Sequence, residues 1–133
     1  MKSYIDTNIL LDVILDDPIY GKTSRNLLAH HLDVGSLWIC ETVYAELVPQ
    51  YDNQQELESD LFKSRIELDC SNNQIAYFAG LKWSEYRRAG GSRQRVLPDF
   101  FVGAHAYLKG DCLLTRDRGF YKTYFPELKV VHP

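Results

Sequence analysis

The chain has 133 residues, the size of one domain, with 45% hydrophobic and 25% charged residues, a balance that excludes a disordered or fibrous protein. Its formal net charge of -3 excludes a general polyanion binder, so any contact with nucleic acid has to come from a local basic patch. No apolar run reaches the roughly 20 residues of a membrane span, and Asp6 and Asp12 interrupt what would be the apolar core of a secretion signal, so a cytoplasmic protein is expected. Cys40, Cys70 and Cys112 are odd in number, widely spaced and without zinc-ligand spacing, which points to buried free thiols in a reducing compartment.

In chain order, Tyr4-Ile5 is apolar and β-prone, and it meets Asp6-Thr7-Asn8 before a helix-compatible run continues through Leu15. A buried strand ending at Asp6, with a helix starting there, is the economical reading. Asp16-Asp17-Pro18 is turn chemistry, and a second helix follows from about Lys22 to Leu32, with Leu27, Leu28, His31 and Leu32 on one stripe. Gly35 and Ser36 interrupt it. Leu37 to Cys40 is then a short buried strand, and a helix from about Thr42 ends before Pro49, carrying Glu46 beside the Val43 and Leu47 stripe.

Leu57, Leu61, Phe62 and Ile66 recur at near-helical spacing, which predicts a surface helix over residues 53–66 packed by one edge. A short extended piece from Glu67 to Cys70 precedes Ser71, a candidate N-cap for a long helix with Ile75, Phe78, Ala79, Trp83 and Tyr86 inward. That helix frays at Gly90-Gly91. Between Lys82 and Arg95 stand five basic residues, Lys82, Arg87, Arg88, Arg93 and Arg95, against one acid, Glu85. This strip is either a phosphate-contacting surface or a solvated helix end beside a loop.

Leu97-Pro98-Asp99 opens a helix through Leu108 that is apolar almost all round, with His105 expected as a satisfied core histidine. Cys112 to Thr115 is a further buried strand, after which Asp117 holds the address that Asp6 holds after the first. A helical turn over 121–124 and an edge strand over 128–131 complete an α/β, three-layer α/β/α fold with a mainly parallel central sheet of four to five strands, spanning 1–133 as one domain.

Asp6, Glu46, Asp99 and Asp117 thus hold comparable structural addresses. Each has a local explanation as a cap, a turn residue or a complement to a helix dipole. Their convergence at one sheet edge would need a cation, because clustered carboxylates repel. Hard divalent cations such as Mg²⁺ take oxygen ligands, and with a bound water they perform phosphodiester chemistry.

Four stretches carry a family resemblance: Ile5 to Asp12, Tyr44 to Leu47, Leu97 to Phe100 with Ala104-His105-Ala106, and Leu114 to Phe120. In this order and over nearly the whole chain, they resemble the PIN-domain ribonucleases, and within them the VapC-like toxins of toxin-antitoxin pairs. The resemblance implies that Asp6, Glu46, Asp99 and Asp117 hold Mg²⁺ or Mn²⁺, and that Thr115 and Asn8 hydrogen-bond the carboxylates or the attacking water. It also implies an RNA substrate cut to a 3′-hydroxyl and a 5′-phosphate, a VapB-like antitoxin and a homodimer. Many relatives carry a further acid after the last Asp where this chain has Arg118-Gly119, so Asp117 stands alone there. Arg87, Arg88, Arg93, Arg95 and Arg116 are the candidate RNA contacts. Two rival readings are a catalytically inactive PIN-like binding module, which would be expected to have lost acids, and a phosphatase of the haloacid-dehalogenase type. The latter wants an acid two positions after Asp6, where Asn8 stands.

Overall fold

The computed structural model describes residues 1–91 and 97–133. Five strands, β1 (Lys2–Ile5), β2 (Ser36–Ile39), β3 (Ile66–Leu68), β4 (Cys112–Leu114) and β5 (Val130–Val131), form one sheet in the order β3-β2-β1-β4-β5, and every pairing is parallel. Parallel neighbours need crossovers, and α1 (Thr7–Ile14), α2 (Gly21–Val34), α3 (Glu41–Leu47), α4 (Gln54–Lys63), α5 (Asn73–Arg88), α6 (Leu97–Lys109) and α7 (Phe120–Tyr124) supply them. The expected three-layer α/β fold is therefore the observed one.

Alternate residues of β1 reach opposite layers. Ser3 Oγ pairs with His31 Nδ1 of α2 at 2.8 Å, whereas the Tyr4 ring lies 5.0 Å from the His105 ring of α6. Because both faces are covered, the strands read as continuous apolar runs, and Leu113 and Leu114 are fully buried. An aromatic cluster under α6 joins Phe100 to Phe120 (4.9 Å between centroids) and to Tyr86 (5.5 Å), tying α5 and α7 to the same helix.

Several local expectations are corrected. The fourth helix stops at Lys63, so Ile66 opens β3 instead of closing a helix, and Phe62 is 85% exposed. The stop is made by Arg65, whose φ of 56° is the left-handed conformation that ends a helical ladder. Asn72, not Ser71, caps α5, its side chain accepting from Ile75 N at 2.9 Å. Phe78 and Trp83 of that helix are only half-buried. Pro49 sits inside a 3₁₀ turn that continues from α3, since its missing N–H costs nothing in a first turn. Cys40 and Cys112 are buried free thiols as expected, but Cys70 is exposed. His105 is buried and held on one side only: Nε2 donates to Asp69 at 3.0 Å, and Nδ1 has no partner among the described residues. No helix among the described residues is long and apolar enough to cross a membrane.

Candidate active site

The strand order reverses direction at β1. The chain moves from β1 outward to β2 and β3, then returns across to β4 on the other side, which opens a crevice at the carboxyl ends of β1 and β4. The register Ile5↔Leu114 makes Asp6 and Thr115 the first residues beyond the paired strands, and Asp6 N still donates to Leu114 O at 2.9 Å.

Asp6 caps α1 in extended conformation, with Oδ1 accepting from Thr7 N at 2.8 Å. Its Oδ2 accepts from three side chains: Thr115 Oγ1 at 2.7 Å, Tyr121 OH at 3.2 Å and Asn8 Nδ2 at 3.3 Å. Asn8 also donates to Thr115 Oγ1 at 3.2 Å and accepts from Arg116 N at 3.0 Å, so one amide clips the β4 exit loop to the start of α1. Every one of these partners is a neutral donor. Burial pushes the Asp6 carboxyl above its ordinary pKa of 3.8; its hydrogen bonds pull it down, and the charge of Asp99 pushes it further up.

The other acids stand around this centre. Asp99 lies in the first turn of α6, close enough to act on Asp6. Glu46 enters through Thr7, whose hydroxyl donates to Glu46 Oε1 at 2.9 Å. Asp117 N donates to Thr115 Oγ1 at 3.0 Å, while Asp117 Oδ1 accepts from Gly119 N and Phe120 N at 3.0 and 2.8 Å, the turn chemistry expected of its position. The Tyr121 hydroxyl feels Asp6, Asp99 and Asp117 together; burial first, then these charges, keep it protonated far beyond the ordinary tyrosine range. Among the described residues, no three His, Cys, Asp or Glu side chains are grouped tightly enough to enclose a metal ion by themselves.

Two residues of this crevice are invisible in local sequence. Tyr121 is one. The other is Asp12, 2% exposed, whose Oδ2 accepts from Ser24 Oγ at 2.7 Å and Arg116 Nε at 2.9 Å. Arg116, a candidate RNA contact, therefore has its guanidinium on Asp12 and 4.2 Å above the Tyr20 ring. Arg87 lies over the Trp83 ring at 5.3 Å, Arg88 ends α5 in solvent, and Arg93 and Arg95 lie outside the described residues.

The PIN domain family model matches residues 3–126. The chain belongs to the PIN domain family. None of the curated proteins matches it. Among solved structures, it is similar to VapBC2 from Rickettsia felis bound to a DNA fragment from their promoter, with a TM-score of 0.78 and 22% identity over 100% of this chain and 99% of that one. It is also similar to VapBC-1 from nontypeable Haemophilus influenzae (TM-score 0.74, 19% identity, 99% and 98% covered) and to a toxin-antitoxin complex from Klebsiella pneumoniae (0.66, 23%, 97% and 95%). At these identities the likeness is one of fold for this PIN domain.

Proposed function

We propose that this PIN domain is a divalent-cation-dependent endoribonuclease and the toxin of a toxin-antitoxin pair. The observation that carries the reading is Asp6: a half-buried carboxylate held by four neutral donors, with a second carboxylate, Asp99, acting on it and no cation among its partners in the described residues. A carboxylate such as Asp6, held by neutral donors alone, favours a positive ligand.

The donor chemistry fits Mg²⁺, or Mn²⁺ in its place, which keeps several waters and needs only one or two carboxylates together with substrate phosphate, so a closed cage of acids is not required. Asp6 and Asp99 would hold the ion, with Glu46 and Asp117 at its outer side. When bound, such an ion lowers the pKa of a water and neutralises charge on the phosphodiester. The chain's own residues then have distinct tasks. Thr115, Asn8 and Tyr121 fix the rotamer of Asp6 by loading Oδ2, which leaves Oδ1, with a single backbone partner, as its more open oxygen. The Thr7 hydroxyl holds the exposed Glu46 carboxylate at the start of α1, where it would orient an attacking water. Attack at phosphorus with departure of the 3′ oxygen gives a 3′-hydroxyl and a 5′-phosphate.

The partner half of the proposal rests on a different surface. A cavity of about 400 Å³ between α1, α2 and α4 is lined by Leu10, Val13, Leu28, Leu32, Leu47 and Leu61, with Arg25 and Asp60 among its polar lining. It suits the apolar face of an antitoxin segment, and the similar solved structures include a toxin-antitoxin complex. A homodimer belongs to the same reading.

The test is incubation of the purified chain with single-stranded RNA and Mg²⁺. Internal cuts bearing 5′-phosphates, abolished by chelation and restored by Mn²⁺, are expected; intact RNA under all these conditions would refute the nuclease reading and leave the inactive binding module.

A further inference from the structure

A second cavity, of about 220 Å³, adjoins the acids on the β5 side and is lined by Asp117, Arg118, Lys122, Pro126, Leu128, Val130 and His132. Its walls carry two permanent cations, Arg118 and Lys122, against the single carboxylate of Asp117. Neither cation forms an ion pair with a described residue, in contrast to Arg116, which is bound to Asp12. His132 Nδ1 donates to the Thr115 carbonyl oxygen at 2.8 Å, which fixes its tautomer. Thr115 is the residue whose hydroxyl holds Asp6, and it also bonds Asp117 and His132 of the cavity lining, so one residue ties the cavity to the acidic crevice.

We infer that this cavity, through Arg118 and Lys122, seats the backbone phosphate of single-stranded RNA next to the one placed at Asp6. The inference rests on the nuclease reading and deepens it. A polyanion approaching the Asp6 carboxylate is repelled by it, and a chain of net charge -3 gives no general attraction. Cations placed one subsite away compensate where the strand needs it and fix its register without reading bases. The small size of the cavity and its floor of Pro126, Leu128 and Val130 suit a phosphate and its sugar, not a stacked base.

The test uses a 5′-fluorescein-labelled, mixed-sequence single-stranded RNA without divalent cation, so that binding is read by anisotropy without cleavage across a salt series. The double variant Arg118→Gln/Lys122→Gln changes two exposed side chains and is expected to keep the wild-type melting temperature. It should weaken binding and lower the slope of log Kd against log salt by about 1.4, that is, about 0.7 for each lost contact to single-stranded RNA. Lys109→Gln, at the far end of α6, is the control for loss of charge alone and should leave the slope unchanged. With Mg²⁺ added, the double variant should raise KM more than it lowers kcat. An unchanged slope in the double variant, with wild-type cleavage intact, would overturn the phosphate site and spare the nuclease reading. Wild-type protein that neither binds nor cuts RNA would overturn both.

Discussion

Asp6 and Asp12 stand six residues apart at the two ends of the same short helix, and each is tied to the exit of β4, yet they are compensated in opposite ways. Asp12 is 2% exposed and meets a guanidinium, Arg116, at 2.9 Å. Asp6 meets two hydroxyls, an amide and a backbone N–H, and the charge acting on it is another acid. A buried charge is either paired within the fold or held in readiness for something outside it. Asp12 is a brace that locks α1 to the loop after β4, and Asp6 is the residue proposed above to hold a cation.

The contrast is broken most sharply by activity. Asp6→Asn should abolish RNA cleavage while changing stability by no more than about 1 kcal/mol, because the hydroxyls of Thr115 and Tyr121 rotate to suit an amide and a desolvated charge is removed. Chemical denaturation and a gel-based cleavage assay on one preparation check both halves. The reverse pattern is expected at Asp12→Ala. Removing one partner of a buried pair costs several kcal/mol, and since Arg116 remains one-third exposed, about 3 kcal/mol is the expected loss, visible as a lower denaturation midpoint.

Thr115→Val sharpens the comparison from the neutral side. It deletes the 2.7 Å bond to Asp6 and the hydroxyl that receives Asn8 and Asp117 N, while keeping the shape. A fall in cleavage of about 10–100-fold is expected, as for groups that orient a ligand without touching substrate. A smaller effect belongs to His31, well away from both acids. Burial, then the charges of His30 and Lys129, hold its pKa below the ordinary 6.5. The unfolded chain therefore takes up this proton first, and stability is lost as the pH falls from 6.5 toward the depressed folded value. His31→Gln should flatten that part of a stability–pH profile.

Most elements were legible because their signals are local. The apolar run into Asp6, the Pro98 start of α6 and the apolar Cys112–Leu114 strand each follow from a few adjacent residues. The placements of Asp6 and Asp117 after strands, and of Asp99 in the first turn of α6, are likewise local, whereas Glu46 lies near the end of α3 and meets Thr7 only through the fold. Phe62 and Ile66 misled because both fit a helical period; the left-handed Arg65 between them decides where that period ends. What stayed hidden depends on residues brought together from far apart. Arg116 is 104 positions from Asp12, and Tyr121 is 115 from Asp6. The sequence pointed to the basic strip after Lys82, whereas among the described residues the cations that line a cavity beside Asp117 are Arg118 and Lys122, in a turn and a short helix. No charge run marks them.

The central claim is that Asp6 is kept for a cation and Asp12 is not. Titration calorimetry of Mn²⁺ into wild-type protein, Asp6→Asn and Asp12→Asn tests it most directly, with folding of each checked by circular dichroism. The account predicts a binding heat in wild-type that vanishes in Asp6→Asn and survives in Asp12→Asn wherever that variant remains folded. An undiminished binding heat in Asp6→Asn would contradict it.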